Sequence, residues 1–132
     1  MKRSPVLNFL DTGTEASEMR ALFQWRDWNK SRFPELELLF HIVNEGKRGY
    51  KAQADFRQQG GRSGLPDVCL PVRRGRYGAL YIEMKRRRGG KISAAQTWWL
   101  NKLELAGNFC EICYGHEEAE SVIVRYLGGE YE

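Results

Sequence analysis

Two short segments near the middle of the chain, Asp67–Val72 and Ala79–Lys85, constrain the fold most strongly, because apolar and polar side chains alternate in both. Successive side chains of a strand point to opposite faces, so each segment presents one apolar face. These faces consist of Val68, Leu70 and Val72 in the first segment and of Leu80, Ile82 and Met84 in the second. The residues between the segments, Arg73–Gly78, form a short polar linker typical of a hairpin loop. The pattern therefore predicts two antiparallel strands with one buried face.

The alternation also restricts how the two strands pair, because a slip of one residue would turn one apolar face toward solvent. The numbers of facing residues must sum to an even value, about 150 or 152. In the first register Asp67 lies opposite Glu83, and in the second it lies opposite Lys85 and diagonal to Glu83. In either register the three polar groups share one face, within roughly 4.5–8 Å of each other at Cβ.

Two carboxylates held this close repel each other unless a cation stabilises both. Oxygen ligands suit Mg²⁺ or Mn²⁺, and such an ion can hold a phosphate and activate an attacking water. Lys85 adds a positive charge beside the same position. The cluster of Asp67, Glu83 and Lys85 therefore predicts metal-dependent phosphodiester chemistry. The alternative is an exposed Glu–Lys ladder on a sheet face, an arrangement that is common and contributes little.

The rest of the chain predicts the element order α-β-α-β-β-α-β-α, a mixed α/β (α+β) domain with a central mixed sheet flanked by helices. Its 132 residues suit one domain spanning 1–132, with residues 1–13 as a loose N-terminal segment. The predicted helices run over about 14–30, 50–59, 93–106 and 117–127. Strands are predicted over 36–43, where a short turn followed by a strand is the alternative, and over 109–114.

Positive charge is concentrated in the middle of the chain. Residues 62–91 carry nine Lys/Arg and two Asp/Glu, a net charge of +7, whereas residues 92–132 carry two and seven, a net charge of −5. Such focusing attracts polyanions, although a solvated basic loop would show the same pattern. The sequence has no apolar run of about 18 residues that would predict a membrane span. The odd number of cysteines, three, favours a reducing cytoplasm.

The residues of the strand pair resemble a known nuclease signature. Gly64-Leu-Pro-Asp67, a hairpin and then Ile82-Glu-Met-Lys85 are similar to the PD-(D/E)XK motif. More narrowly, the chain resembles the virus-type replication-repair nuclease (VRR-NUC) domain, in the small stand-alone form found in phages and bacteria. The positions that carry this narrower resemblance are Gly64, Leu65, Pro66, Asp67, Glu83, Met84, Lys85, Gly90, Ser93, Gln96 and Gly107. The resemblance implies a restriction-endonuclease-like core.

The resemblance implies a role for each site residue. Asp67 and Glu83 would coordinate Mg²⁺ or Mn²⁺ together with the backbone carbonyl of Met84. Lys85 would orient the water and steady the phosphate. Gln96 would point into the site from the first turn of its helix, although a capping-box Gln needs no further purpose.

These nucleases also place an acid on the first helix, where Glu15 and Glu18 are the candidates. The apolar stripe of this helix consists of Met19, Leu22, Phe23 and Trp25. At 100° per residue, Glu15 lies about 20° and Glu18 about 40° from Leu22, so both border this stripe. An acid aimed toward the core needs a partner, which a metal could supply, directly or through a water. The spacing to Met19 favours Glu15, with Glu18 as the alternative.

Basic and polar residues near the site are candidates for DNA contacts, against the alternative of a solvated loop. These are Asn44, Lys47, Arg48, Arg86, Arg87, Arg88 and Lys91. The function predicted is metal-dependent, structure-selective cutting of DNA, and the resemblance points to a homodimeric resolvase of four-way (Holliday) junctions acting in DNA repair. Its setting would be the cytoplasm of a bacterial or phage-infected cell, without a nucleotide cofactor or a membrane. The alternatives are a flap- or duplex-cutting nuclease and a non-catalytic nucleic-acid-binding module.

Overall fold

A computed structural model of the chain describes residues 13–43 and 49–132. The predicted loose segment 1–13 lies outside this range except for Gly13, and so do Asn44, Lys47 and Arg48. The helices are α1 (Glu15–Asn29), α2 (Tyr50–Gln58), α3 (Ala94–Leu105) and α4 (His116–Leu127), with a 3-10 turn at Pro34–Leu38. The strands are β1 (Phe40–His41), β2 (Val68–Leu70), β3 (Leu80–Lys85) and β4 (Phe109–Tyr114). The predicted order of elements is confirmed.

Local sequence explains where two of the helices begin. Thr14 caps α1 by accepting a hydrogen bond from the Ser17 backbone, while the Ser17 side chain bonds back to the Thr14 backbone. Ser93 and Gln96 form the same reciprocal pair at the start of α3, as predicted. Between α1 and β1, the 3-10 turn shortens the strand to two residues. The alternative prediction for residues 36–43, a turn and then a strand, is therefore confirmed.

The strands form one mixed sheet in the order β1-β2-β3-β4. The first three strands are antiparallel neighbours, whereas β4 runs parallel to β3 after the crossover through α3. Val68 pairs with Ile82 and Leu70 with Leu80, so facing residue numbers sum to 150. The first of the two predicted registers is the one that forms.

The core lies on the apolar face of the sheet, as the alternation predicted. Leu80, Ile82 and Met84 are at most 1% exposed and pack with residues of β2, α1 and α4. The predicted stripe of α1 supplies Leu22 at the centre of this core, with Met19, Phe23 and Trp25 around it. Helix α3 packs against β4 on the opposite face of the sheet, where it covers the side of β3 that carries Glu83. None of the described helices is both long and apolar enough to cross a membrane.

Candidate active site

Asp67 is held between two strands immediately before β2. Its backbone N–H donates to the Ile82 carbonyl at 3.1 Å, and its carbonyl accepts from the Ile42 N–H at 2.7 Å. One carboxylate oxygen, Oδ2, accepts from the Met84 N–H at 2.8 Å. These bonds fix the Asp67 carboxylate beside β3, at the position that the register assigns opposite Glu83.

Glu83 points away from the apolar core but is buried all the same, at 1% exposure. Its Oε1 accepts a hydrogen bond from the Gln96 side-chain amide at 2.6 Å, whereas its Oε2 meets no N–H donor among the described residues, and a protonated Glu83 carboxyl can share its proton with the Asp67 carboxylate. Burial raises the pKa of Glu83 to about 9, and the adjacent Asp67 carboxylate adds to the rise while Lys85 opposes it. A buried carboxyl beside a second carboxylate, with no N–H donor on one of its oxygens, is a position where a cation would be stabilised.

Lys85 ends β3 with its side chain only 8% exposed. Its Nζ lies 3.8 Å from Oε1 of Glu15, at the beginning of α1. Gly90 packs against the Lys85 side chain so closely that an added Cβ would lie 2.9 Å from the Lys85 Cβ. The loop after β3 therefore folds back over Lys85 only because residue 90 has no side chain.

The Gln96 side chain makes two hydrogen bonds, one that caps α3 and one with Glu83. Its Oε1 accepts from the Ser93 backbone N–H at 2.9 Å, which caps α3. Its Nε2 donates to Glu83, so the same side chain also fixes the orientation of the buried carboxyl. A helix cap and a site contact thus share one residue.

The two acids of α1 have different surroundings. Glu15 is exposed and lies beside Lys85, and it borders the same hollow as Asp67. Glu18 is fully buried and accepts the His116 backbone N–H at 2.9 Å, with Arg87 Nε 3.3 Å from its other oxygen. The structure therefore brings Glu15 to the site and gives Glu18 partners at the start of α4.

Glu18, Arg87 and His116 belong to a polar cluster that joins three parts of the chain. Arg87 also contacts Glu117 at 3.2 Å, and the His116 ring contacts Glu120 within α4. The cluster ties α1 and the beginning of α4 to the loop that follows Lys85. Its members position the helices around the site, and the Arg87 charge is already matched by two carboxylates.

The other basic residues of the loop after β3 remain open to solvent. Arg86, Arg88 and Lys91 are exposed and follow directly on the strand that carries Glu83 and Lys85. Their position suits contacts with phosphates on either side of a phosphodiester held at the site.

A hollow of about 190 Å³ opens beside the carboxylates, lined by Glu15, Ala16, Met19, His41, Asp67 and Met84. His41 also lines this hollow, and its position depends on the pairing of β1 with β2. A strand of two residues has no alternation from which this pairing could be predicted. Larger hollows, of about 440 and 290 Å³, lie along α3 and β4. Chemistry rather than size assigns the site: Asp67 lines the smaller hollow and neither of the larger two, and the buried Glu83 lines none of the three.

The residues present fit a divalent cation with few protein ligands. Among the described residues, no group of three or more His, Cys, Asp or Glu side chains is ready to enclose an ion. Mg²⁺ usually keeps several waters and binds through one or two carboxylates together with substrate phosphates. Asp67 and the Oε2 oxygen of Glu83 supply such a pair.

The two cysteines with C-x-x-C spacing on β4 do not form a metal site. Cys110 and Cys113 are free thiols, and Cys113 is fully buried. Burial raises the pKa of both thiols to about 12, so they stay protonated. They serve as small packing residues of the strand.

Comparison with known proteins agrees with this fold. A solved structure described as a VRR_NUC domain protein superimposes with a TM-score of 0.73, covering 87% of this chain and 88% of that one at 24% identity. At that identity the likeness concerns the fold. No curated protein matches the chain. The sequence itself matches the VRR-NUC domain over residues 14–117, a range that includes every residue of the site described above. The chain therefore belongs to the VRR-NUC family, whose members are nuclease-type domains that process DNA.

Proposed function

We propose that this protein is a divalent-metal-dependent endonuclease that hydrolyses phosphodiester bonds of DNA at Asp67, Glu83 and Lys85. The observation that carries the proposal is the buried Glu83 carboxyl, held against the Asp67 carboxylate with no N–H donor on its Oε2. A structural or purely DNA-binding protein has no use for this pair beside a basic loop, because the Asp67 carboxylate would repel a phosphate and the burial of Glu83 beside it costs free energy unless a cation binds there.

Asp67 and Glu83 would hold Mg²⁺ or Mn²⁺ together with the Met84 carbonyl. Such an ion supplies Lewis-acid activation of the phosphate and lowers the pKa of an attacking water. Gln96 keeps Glu83 aimed at the ion position by donating to its other oxygen, and Met84 N–H does the same for Asp67. The carboxylates are therefore preorganised by hydrogen bonds from β3 and α3.

Lys85 would contact a non-bridging oxygen of the scissile phosphate and orient the water. Its long side chain is buried along the folded-back loop, so its ammonium group is confined to the mouth of the site. Glu15 holds that ammonium group in place and would contact the ion through a water. Glu18 is not proposed as a ligand, because its carboxylate is already bound by the start of α4 and by Arg87.

The DNA would run along the exposed basic loop after β3. Arg86, Arg88 and Lys91 would contact phosphates flanking the cut. Asn44, Lys47 and Arg48, which lie outside the described residues, stay predicted DNA contacts. Arg87 was also predicted to contact DNA, but its two carboxylate partners favour a positioning role. Contacts of this kind read the backbone and the shape of DNA rather than its bases.

The substrate we propose is branched DNA, with a homodimer cutting a four-way junction. Two sites related by a two-fold axis suit symmetric cuts in two opposed strands. A flap-cutting or duplex-cutting enzyme with the same site is the second candidate within this chemistry.

The proposal is tested by incubating end-labelled four-way junction, flap, single-stranded and linear duplex DNA with the wild type and Asp67→Asn. Each reaction is run with Mg²⁺, with Mn²⁺ or with EDTA. Metal-dependent paired cuts in the junction, absent in Asp67→Asn, are the expected result. Cuts confined to the flap or the duplex would retain the site and replace the resolvase. Binding without cutting of any substrate would contradict the enzyme.

A further inference from the structure

An exposed tryptophan on α3 lies beside the loop that leads to Asp67 and has no part in the site described above. Trp98 is 46% exposed, and its ring meets that of Trp99 edge-on, with centroids 5.2 Å apart. The Trp99 indole N–H donates to the Ser63 carbonyl at 3.0 Å. Trp99 is thereby fixed to the loop, and it supports the Trp98 ring from the side without covering it.

Two cations lie over this ring. The Arg62 guanidinium carbon is 5.6 Å from the Trp98 centroid and 5.0 Å from that of Trp99, and Lys102 Nζ is 5.7 Å from Trp98. Lys102 has a long side chain whose ammonium group can move from the ring to a nearby anion. An exposed aromatic face beside cations is the combination that binds a nucleobase and its phosphates.

The surface around the ring is concave and basic. A hollow of about 370 Å³ is lined by Arg62, Ser63, Ala94, Ala95, Trp98 and Trp99. It shares Arg62 and Ser63 with a second hollow of about 240 Å³, which adds Arg57. Within the described part of the chain, the residues lining these two hollows include two arginines and no carboxylate. The charge favours a polyanion over an acidic or neutral protein partner.

This surface is close to the catalytic residues. Gly64 packs against Ala95 so tightly that an added Cβ would lie 2.7 Å from the Ala95 side chain, which joins the loop to the first turn of α3. From Ser63 to Asp67 the chain spans at most about 14 Å. Each strand of a duplex has one phosphate per about 3.4 Å of helix axis, so this reach corresponds to about four nucleotides along the axis.

We propose that Trp98 is a stacking platform for an unpaired nucleobase of the DNA substrate, with Arg62 and Lys102 contacting the flanking phosphates. The inference rests on the proposed function and specifies its substrate: DNA with an unpaired base within about four nucleotides of the cut. In a continuous duplex each base is stacked on its neighbours, so only a branch point, an end or a single-stranded segment offers a free face. Trp98 would then favour such structures over intact duplex.

The test measures binding alone, in EDTA, so that it does not depend on cleavage. A fluorescein-labelled oligothymidylate and an abasic chain of equal length and charge are titrated with the wild type and variants, and fluorescence anisotropy gives each Kd. The wild type is expected to bind the oligothymidylate about tenfold more tightly, the size of one stacked base. Trp98→Ala and Trp98→Leu should lose this preference without weaker binding of the abasic chain, and Trp98→Phe should keep most of it.

Trp28 provides the matched control, because it is a tryptophan of similar exposure, 51%, on a different helix. Trp28→Ala should keep the preference for bases. The inference is overturned if the wild type binds both chains equally, or if Trp28→Ala loses as much as Trp98→Ala. It is also overturned if Trp98→Leu folds and keeps the preference for bases. A mass of Trp98→Leu in solution that differs from that of the wild type would overturn it too, because Trp98 would then be a contact between subunits.

The outcome is separable from that of the proposed function. A base preference that depends on Trp98, in a protein that cuts none of the four DNA substrates, would support the stacking platform and contradict the enzyme. Metal-dependent cutting by a wild type that shows no base preference would support the enzyme and overturn the platform.

Discussion

At the scale of single residues, the burial of Glu83 makes the ion-free protein sensitive to pH. Its pKa is raised to about 9 in the folded chain, from 4.5 as the ordinary value. Between these values the folded chain keeps a proton that the unfolded chain has lost. The contribution of Glu83 to the free energy of unfolding is therefore fully present below pH 4.5 and decreases as the pH rises toward 9.

Glu83→Gln removes this titration while keeping the shape of the side chain. In EDTA, we expect the unfolding free energy of the wild type, relative to that of Glu83→Gln, to fall steadily between pH 5 and pH 9. Only in the wild type does unfolding release a proton from residue 83 over this range. Urea unfolding at several pH values measures the difference, in which the other titrating groups cancel. A difference that does not change with pH would mean that Glu83 ionises normally in the folded chain.

Arg87 and Arg88 are neighbours in sequence with different predicted consequences of substitution. Arg87→Ala leaves the buried Glu18 carboxylate without its cation, so it should lower the unfolding free energy by about 1–3 kcal/mol. Arg88→Ala, at an exposed position, should change it by less than about 0.5 kcal/mol. Chemical denaturation of both variants at neutral pH measures the two effects.

DNA binding provides the complementary readout for this pair. Arg88→Ala should reduce the slope of log Kd against log salt by about one, as expected for the loss of one phosphate contact. Folded Arg87→Ala should keep the wild-type slope. The reverse result, a stable Arg87→Ala with a reduced slope, would mean that Arg87 contacts DNA and that the buried Glu18 carboxylate does not depend on it for stability.

At the scale of elements, alternation predicted the faces of β2 and β3 but left two registers open. Both even sums keep the apolar faces matched, so hydrophobicity alone cannot choose between them. The choice depends on backbone hydrogen bonds of Asp67 to Ile82 and to Ile42, the residue that follows β1. Strand β1 has only two residues and therefore no pattern of its own. An edge strand this short shows no periodicity, so the position of His41 in the hollow beside Asp67 could not be predicted from it.

The family resemblance implied an acid of α1 at the site. Helix periodicity only placed Glu15 and Glu18 at the border of the apolar stripe, and the spacing to Met19 favoured Glu15. Glu15 and Glu18 lie at similar angles to the apolar stripe, and their different surroundings come from remote parts of the chain. Glu18 meets the backbone of His116, 98 residues away, and Glu15 meets the end of β3. Contacts at such separation are set by the packing of α1 against α4, which no local pattern contains.

The loop before Asp67 depends on Gly64 for two separate reasons. Its φ of +85° is costly for residues with a Cβ, and an added Cβ would also collide with the first turn of α3. Gly64→Ala should therefore destabilise the protein by more than the 1–2 kcal/mol of the backbone strain alone. It should also slow DNA cleavage, because the loop positions Asp67 opposite Glu83. Thermal unfolding and cleavage rates measure the two effects.

Gly60 is the control for this prediction, since it has a similar φ of +89° and nothing within 4 Å of an added Cβ. Gly60→Ala should show the strain without the collision, with cleavage preserved. Equal losses of stability and of cleavage in the two variants would contradict a specific contact between this loop and α3.

At the scale of the whole molecule, the charge distribution overstated the DNA-binding surface. Residues 62–91 carry a net charge of +7, but several of their cations have carboxylate partners elsewhere. Arg74 binds Glu35, and Arg87 binds Glu18 and Glu117. What remains around the site is the exposed part of the loop after β3 and the basic surface around Trp98. The sequence thus predicted the presence of a basic region, and the tertiary contacts determined its extent.

The central claim is that Asp67 and Glu83 together hold the ion used to cut DNA. It is tested most directly by the single-turnover cleavage rate as a function of Mn²⁺ concentration, for the wild type, Glu83→Gln and Glu111→Gln. Glu111 is an exposed glutamate of β4 that pairs with Ile82, so its variant controls for removing a nearby charge. We expect Glu83→Gln to lose at least about a hundredfold in rate at saturating DNA and Glu111→Gln to match the wild type. Wild-type rates in folded Glu83→Gln at every Mn²⁺ concentration would contradict the claim.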